Sequence, residues 1–210
     1  MTIDKNDLLN SILESISRID YIHPDEIPNI ELYMDQVTTF METQLASTKR
    51  YPDDKILTKT MINNYAKNDL LPPPTKKKYS KEHVLTLIFI YYFKSILSIH
   101  DIDMLLKPLT DRYFQTDSSF DLSAVYNEVC ELEKNRIDSV QEDISKLWEE
   151  ASESYQDAPE ADRQYLQLFA FICSLSFDVY IKKSIIEKVI DFFPEHNEKK
   201  KSNNKQNAES

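Results

Sequence analysis

Residues 57–79 read LTKTMINNYAKNDLLPPPTKKKY, and this stretch combines a helical apolar pattern, three consecutive prolines and three consecutive lysines. The spacing of its apolar residues predicts a helix that begins after Thr58, a good N-cap, and ends at Asn68-Asp69. Asn and Asp tolerate the left-handed backbone that often ends a helix. The three prolines 72–74 cannot continue a helix and hold the chain extended into the lysines 76–78. We therefore expect a helix followed by an extended segment with a basic tip.

Two further helices are predicted on the N-terminal side of this stretch. Residues 30–45 place apolar side chains at helical spacing, and Asn29 is the expected N-cap after Pro28. Residues 7–19 carry a stripe of Leu and Ile that predicts a short amphipathic helix, which must dock on another part of the protein. Residues 49–54 are expected to be a loop.

The C-terminal side of the stretch continues with a buried helix. Ser80, followed three residues later by His83, predicts a capped N-terminus for a helix whose residues 84–93 are apolar nearly all round. A helix that is apolar on every side is typical of a protein core. A shorter helix is then expected from Ile99 to Leu106, ending before Pro108 because the residue before proline disfavours helical geometry.

The rest of the chain predicts an acidic helical region. Apolar residues from Leu122 to Leu147 recur at steps of three and four with one step of five, a spacing that predicts one long amphipathic helix. The segment 160–193 is the most apolar and is predicted to be a helix at the core of a second domain. The predicted organisation is an amphipathic helix in 1–29, a first domain in 30–108, an acidic dimerisation or sensor region in 109–194 and a disordered tail in 195–210.

Composition narrows the fold class. The 210 residues are 41% hydrophobic, enough for a folded core, and contain no glycine. Without glycine, neither a P-loop nor the glycine-rich dinucleotide fingerprint can be present. Alternating apolar and polar residues are scarce, so we expect an all-α, mainly helical protein.

Cysteine usage and hydropathy point to a cytoplasmic protein. Cys130 and Cys173 lie far apart without further cysteines at metal-ligand spacing, so both are expected to pack as small apolar groups. The N-terminus shows no signal peptide. The longest apolar stretch, Tyr165 to Ile181, is too short to span a bilayer and contains Gln167 and Asp178, so no membrane association is expected.

The charge is distributed unevenly along the chain. The net charge is −11, yet residues 49–94 contain ten Lys and Arg against four acidic residues, a local charge of +6. The remainder therefore carries −17. Phosphates attract such a basic region and are repelled by the acidic remainder, so a nucleic acid could approach only the basic face.

The same stretch resembles the winged helix-turn-helix of MerR-type regulators. The run from Leu57 to Pro74 is similar to the recognition-helix-to-wing segment of that family, in which a tyrosine near the helix end precedes a Gly-Leu-Leu-x-Pro turn. Tyr79-Ser80 and the run Leu97-Ser98-Ile99-His100-Asp101-Ile102 resemble the wing tyrosine and a later short helix. Together with Leu32-Tyr33-Met34-Asp35-Gln36, the pattern also resembles an uncharacterised bacterial family of domains of unknown function associated with MerR-like winged helices.

The resemblance implies a homodimeric regulator that binds double-stranded DNA, with no cofactor or metal and with no effector indicated. It implies major-groove contacts from the start of the recognition helix and phosphate contacts from its end and from the wing. The candidate DNA-binding residues are Thr58, Lys59, Thr60, Asn63, Asn64, Lys67, Lys76, Lys77, Lys78 and Tyr79. Tyr65 and Tyr79 are also interpreted as anchors between wing and helix.

The chain departs from the family pattern at three places. Asn63-Asn64 stand where the family commonly has Arg-Tyr, and Asp69 stands in place of the turn glycine. The connection from Ala46 to Leu57 is longer than a tight helix-turn-helix turn. These departures affect which bases would be contacted.

Two alternatives to a DNA-binding regulator stay open. The first is a protein-interaction module whose winged helix no longer binds DNA. The second is a helical enzyme or small-molecule sensor in which aromatic residues between 165 and 193 line a pocket, although core packing explains them better. No enzyme is expected, because the four histidines lie apart and no nucleophile or metal motif is present.

Overall fold

The structure is a computed structural model that describes residues 4–18, 21–133 and 136–193. Within these ranges the protein is mainly helical, which confirms the predicted fold class at that level. The helices are α1 (Lys5–Ser17), α2 (Met34–Gln44), α3 (Lys59–Lys67), α4 (Lys81–Phe93), α5 (Ile99–Tyr113), α6 (Leu122–Glu133), α7 (Arg136–Ser152) and α8 (Glu160–Ile190). Two short strands, β1 (Leu32–Tyr33) and β2 (Lys78–Tyr79), pair with each other.

Contacts between residues divide the chain into two compact units. The hairpin unit comprises Ile22–Val129 together with residues 183–193, and the three-helix unit comprises the described residues of Met1–Tyr21 and Cys130–Lys182. No described helix combines the length and the apolar run that crossing a membrane would require.

The hairpin unit has a strand near its beginning where the sequence predicted a helix. A helix was expected from Ile30 with Asn29 as its cap, but Leu32–Tyr33 is a strand and α2 starts at Met34. The prediction was wrong because pairing with β2 holds the residues before Met34 extended. The true cap is Tyr33, whose backbone N–H donates to Oε1 of Gln36 at 2.8 Å.

The predicted boundaries of α3 are confirmed. The Thr58 hydroxyl accepts a hydrogen bond from the Met61 N–H at 3.2 Å and caps the helix. Asn68 is its C-cap, and Asp69 adopts a φ of 57°, the left-handed geometry expected of a helix end without glycine. The apolar face of α3 packs against α2, which fixes the direction of this helix in the unit.

The predicted burial of α4 is also confirmed. Every residue from His83 to Ile90 is buried. The Ser80 N–H donates to Nδ1 of His83 at 2.9 Å, so the predicted cap is formed by the histidine ring. Enclosing a large aliphatic side chain stabilises a fold by about 1.5–3 kcal/mol, so α4 is the main apolar support of this unit.

The predicted end of the next helix before Pro108 was wrong, because α5 continues through Pro108 to Tyr113. Proline lacks the N–H that would bond the carbonyl of Met104. Burial holds the helix on both sides of this defect: Ile102 and Leu106 lie in the core, and Phe114, directly after α5, packs edge-on against His83 at 4.8 Å. Tertiary contacts thus outweigh the local preference of proline.

The single long helix predicted over residues 122–147 is described as two helices, α6 and α7, on either side of residues 134–135, which lie outside the described residues. In the hairpin unit, Tyr126 of α6 is fully buried, packs edge-on against Phe89 and donates from its hydroxyl to the Ile22 carbonyl at 2.6 Å. This contact joins the beginning and the end of the first segment of that unit.

The three-helix unit is built from α1, α7 and the N-terminal part of α8. Its core centres on Trp148 and Phe171, whose rings meet edge to face at 5.0 Å. Buried Gln167 donates to the carbonyls of Ser152 at 2.6 Å and Ser154 at 2.9 Å, so it caps the end of α7. The predicted amphipathic helix near the N-terminus docks here through Leu8, Leu9 and Ile12.

The helix predicted over residues 160–193 is confirmed as α8, and its Phe171 lies in the core of the three-helix unit, but most of the helix is not enclosed by that core. Of its residues, only Gln167, Phe171 and Ile190 are buried, and most of its large apolar side chains are exposed. Cys173, expected to be buried, is exposed, and Cys130 is half-buried. The tail predicted to be disordered lies outside the described residues.

Candidate nucleic-acid interface

Helix α3 presents one polar face and one apolar face. Successive helical residues turn by about 100°, which places Ile62 and Tyr65 together on the side that the structure buries. The opposite side is exposed and polar. It consists of five of the predicted site residues, Lys59, Thr60, Asn63, Asn64 and Lys67.

Residues 75–78 form a tight two-residue turn at the tip of a small hairpin. The Lys78 N–H donates to the Thr75 carbonyl at 3.0 Å, and the two central residues, Lys76 and Lys77, have φ angles of 50° and 65°. Positive φ at both central positions is the geometry of a type I′ turn, which normally prefers Asn and Gly. A lysine there costs of order 1–3 kcal/mol, so the surrounding structure must hold the turn in place.

The hairpin is fixed to the same helix that supports α3. Leu32 pairs with Tyr79 and Tyr33 with Lys78 in an antiparallel register, and α2 follows β1 without an intervening residue. Because α2 also packs against α3, the lysine turn and the polar face of α3 are attached to one rigid element.

Tyr79 was predicted as a DNA-binding residue, but the structure buries it to 2% exposure. Its ring lies 5.4 Å from that of His83. Burial raises the pKa of Tyr79 and also that of Tyr65, so both phenols stay neutral. Tyr79 therefore positions the hairpin from inside, as its interpretation as an anchor implied, and does not reach a ligand on the surface.

Two of the predicted lysines are paired with acidic side chains. Lys59 forms an ion pair with Asp35, and Lys78 forms one with Glu31 at 3.2 Å while its Nζ lies 5.9 Å from the centre of the Tyr33 ring. All four groups are substantially exposed, and such pairs contribute roughly 0–1 kcal/mol. The two acids reduce the positive charge that these lysines present.

Lys67, Lys76 and Lys77 differ from Lys59 and Lys78 in their electrostatic surroundings. All three are exposed, and within the described ranges no acidic side chain lies at ion-pair distance from them. One lies in the last turn of α3 and two at the hairpin tip. These three carry the unbalanced positive charge of the predicted surface.

Some basic residues in the stretch 49–94 have structural roles instead. Lys49 pairs with Glu42, a hydrogen bond that lowers the pKa of this carboxyl. Lys94 donates to the Ile56 carbonyl at 2.9 Å and lies over the Tyr91 ring, and burial lowers the pKa of its ammonium. The local charge of +6 therefore overstates what the surface can offer to a phosphate.

His83 supports the hairpin from below. Its Nε2 lies 3.4 Å from the carbonyl of Pro73, and its Nδ1 accepts from Ser80. Burial is the main cause that lowers its pKa, which favours the neutral ring. A neutral ring with Nδ1 as acceptor carries its proton on Nε2 and can donate toward Pro73. The sequence predicted this histidine only as a cap.

Sequence reasoning missed Glu31 and Asp35, the acids that border this surface. They precede the basic stretch by many residues, and only the pairing of β1 with β2 and the packing of α2 on α3 bring them to Lys78 and Lys59. The described residues contain no group of three His, Cys, Asp or Glu side chains that could hold a metal ion.

Comparison with known proteins gives a family for this chain. No curated protein and no solved structure matches it. A family model described as a domain of unknown function, DUF1836, matches residues 22–129, which is more than half of the chain and the first segment of the hairpin unit. The protein therefore belongs to the DUF1836 family.

Proposed function

We propose that this protein is a sequence-specific transcription regulator that binds double-stranded DNA in the cytoplasm as a homodimer. In this proposal α2 and α3 form a helix-turn-helix, the hairpin around the lysine turn is the wing, and the whole is a MerR-like winged helix. The acidic helical region that follows serves for dimerisation or receives a signal.

One observation carries the proposal: the polar face of α3 and the lysine turn are both exposed and are both attached to α2. An α-helix with its side chains is about 10–12 Å across, which matches the major groove of B-DNA at about 12 Å. A helix in the groove needs a second element to hold the neighbouring backbone, and the lysine turn supplies two charges for that purpose.

Each exposed residue has a role in this proposal. Asn63 and Asn64 are suited to pair with adenine, because a carboxamide both donates and accepts at the N6 and N7 edge. Thr58, Lys59 and Thr60 lie at the start of α3, where a recognition helix contacts base edges. Phosphate contacts then fall to the three unpaired lysines, Lys67, Lys76 and Lys77.

The direct test is binding of the purified protein to fragments of its own genome, beginning with the promoter beside its gene, at low and moderate salt. We expect saturable binding that prefers certain sequences and weakens as salt rises, because each phosphate contact releases counterions. If the protein, assayed without an effector, binds no fragment at any salt concentration, the proposal that it binds DNA in this state is overturned.

A pair of variants separates phosphate contacts from general charge. The double variant K76A/K77A should lose affinity for all sequences alike and reduce the slope of log affinity against log salt by about two. The control K107A/K146A removes two exposed lysines outside the predicted surface and should leave the slope almost unchanged. Equal effects in both variants would contradict a specific role for the hairpin tip.

Base reading is tested separately. Replacing Asn63 by Ala should relax the preference at particular base pairs by about 1–3 kcal/mol, while binding to unrelated sequences changes little. A competition assay with single-base variants of the preferred fragment measures this. A uniform loss of affinity would instead assign Asn63 to the backbone.

The second candidate is a protein-interaction module with this fold that does not bind DNA. The ion pairs Lys59–Asp35 and Lys78–Glu31 favour it, because a surface specialised for phosphate gains little from acids that neutralise its lysines. Salt dependence separates the two candidates: a protein partner gives a shallow dependence, whereas DNA gives a steep one.

A further inference from the structure

The polar face of α3 has an order that helical geometry fixes. At about 100° per residue, Thr60 lies opposite the buried side of the helix, and Asn63 and Asn64 flank it on its two sides. Lys59 lies at one border of the face. In the first two turns of α3, the centre of the exposed face therefore consists of one hydroxyl group and two carboxamides, with the charge at its edge.

These central side chains suit A·T base pairs. A carboxamide such as that of Asn63 bonds both N6 and N7 of adenine, and the methyl group of a threonine packs against the C5-methyl group of thymine. Asn63 and Thr60 are three residues apart, so their Cβ atoms lie about 5–6 Å from each other, close enough to reach neighbouring base pairs that stack at about 3.4 Å. Both side chains can thus contact one short A·T segment.

Donors that select guanine are scarce on the same surface. Arginine or lysine selects guanine by donating to its O6 and N7 atoms. Residues 51–111 contain no arginine, and the two lysines of α3 are Lys59 and Lys67. Lys67 lies in the last turn of α3, whereas the N-terminal residues of a recognition helix contact the base edges. Lys59 is therefore the side chain at the start of α3 that could donate to a guanine.

An acid from the neighbouring helix occupies this donor. Asp35, in the first turn of α2, forms an ion pair with Lys59, and both side chains are exposed. A guanine must compete with this carboxylate for the ammonium group. The carboxylate also repels O6 and N7 of guanine, which are both acceptors, whereas adenine presents the N6 donor in place of O6. Asp35 therefore disfavours guanine in two ways.

We propose that Asp35 is a specificity-determining residue: it holds Lys59 away from the base edges, so that α3 selects A·T base pairs through Thr60 and Asn63. The inference rests on the proposed DNA binding and adds the class of sequence that is bound. Phosphate contacts supply affinity without selecting a sequence. An acid beside a basic surface lowers that affinity, and in return it removes a contact that would favour G·C pairs.

Selection from random duplexes is the first experiment. The unchanged protein retains duplexes at low salt, and the retained pool is sequenced. We expect enriched duplexes to share A·T pairs at the positions whose preference Asn63→Ala relaxes. Enrichment of G·C pairs there, or retention without any preference, would overturn the inference and leave DNA binding itself intact. Retention of no duplex would overturn the proposed function and the inference with it.

Base analogues in the selected duplex test the individual contacts. 7-Deazaadenine lacks the N7 acceptor, so it should weaken binding of the unchanged protein about five- to tenfold and binding of Asn63→Ala hardly at all. Uracil lacks the C5-methyl group of thymine and should weaken binding of the unchanged protein a few-fold, but not that of Thr60→Ser, which lacks the matching methyl group. An analogue that weakens the unchanged protein and the variant equally would contradict the contact concerned.

The decisive variant is Asp35→Asn. We expect the ratio of affinities for the selected A·T duplex and for its G·C-substituted forms to fall about three- to tenfold at one base pair, chiefly because the G·C form binds more tightly. The double variant D35N/K59A should regain most of the preference, and the control Asp138→Asn should keep it. An unchanged ratio in Asp35→Asn would overturn the role of Asp35. Weaker binding of the G·C form would also overturn it, because Asp35 would then accept from N4 of cytosine.

Discussion

Helices α4 and α8 both contain long apolar runs, and they have opposite surroundings. In α4 every residue from His83 to Ile90 is buried within the hairpin unit, whereas α8 buries only Gln167, Phe171 and Ile190. An apolar run therefore indicates that burial is favourable, but it does not indicate whether the enclosing surface belongs to the same chain. That difference separates a helix that holds a fold together from one that is available to a partner.

The largest expected effect comes from truncating the same residue type in the two helices. Ile88→Ala in α4 should lower the free energy of unfolding by about 2–5 kcal/mol, because it leaves a cavity in a closed core. Ile172→Ala in α8 should cost less than about 1 kcal/mol in dilute solution, since that side chain is 58% exposed. Denaturant unfolding at low protein concentration measures both.

Protein concentration should affect the two variants differently. If α8 pairs with a second copy, the loss caused by Ile172→Ala should increase with protein concentration, whereas the loss caused by Ile88→Ala should not, because only the former weakens association. Equal losses at low concentration would show that Ile172 is enclosed within a single chain.

A second difference between the units is a titratable group in the core of one of them. Burial lowers the pKa of His83, so the folded state favours the neutral ring more strongly than the unfolded chain does. The unfolded chain therefore binds more protons, and stability is present above the ordinary histidine pKa of about 6.5. It is lost as the pH falls through the lower folded pKa.

His83→Gln tests this dependence. Glutamine keeps a side-chain acceptor for the Ser80 N–H, as in the capping box that Ser and Gln form at this spacing, but it does not titrate. The melting temperature of the unchanged protein should fall more steeply than that of the variant as the pH is lowered from about 7 to about 5. Parallel curves would mean that His83 does not set this pH dependence.

These contrasts show which parts of the structure were predictable from the sequence. Local signals gave the boundaries of α3, the Ser80 cap and the burial of α4, because capping residues and apolar spacing act within a few residues. The pairing of β1 with β2 was not predictable from Leu32 and Tyr33, since it depends on Lys78 and Tyr79, which lie 45 and 47 positions further along than their partners. The end of α5 was predicted wrongly at Pro108 for the same reason, because the contacts that hold this helix together are tertiary.

The candidate site was predictable only in part. Exposure of Asn63 and Asn64 follows from their place opposite Ile62 and Tyr65 on α3. Which lysines remain unpaired did not follow, because Asp35 and Glu31 reach Lys59 and Lys78 only through the packing of the folded unit. Sequence charge counts therefore describe a region but not its surface.

A smaller effect is expected from relaxing the lysine turn. The double variant K76N/K77G supplies the residues that a type I′ turn prefers and should raise the stability of the hairpin unit by roughly 1 kcal/mol or less, since part of the gain is offset by the flexibility of glycine in the unfolded chain. It should also weaken DNA binding as much as K76A/K77A does. Greater stability with weaker DNA binding would show that the strained turn is kept because its lysines bind DNA. Unchanged DNA binding would show that the hairpin does not contact DNA.

The smallest expected effect concerns the acids that border the surface. Asp35→Asn keeps the size of the side chain and releases Lys59 from its ion pair. Exposed ion pairs of this kind contribute roughly 0–1 kcal/mol to stability. If α3 enters a DNA groove, the released charge should raise affinity a few-fold at low salt, and the gain should fade as salt screens it. Asp138→Asn on α7 removes an equal charge from another exposed site and serves as the control. If affinity falls in Asp35→Asn alone, the pair orients Lys59 for binding, and the acids belong to the interface instead of opposing it.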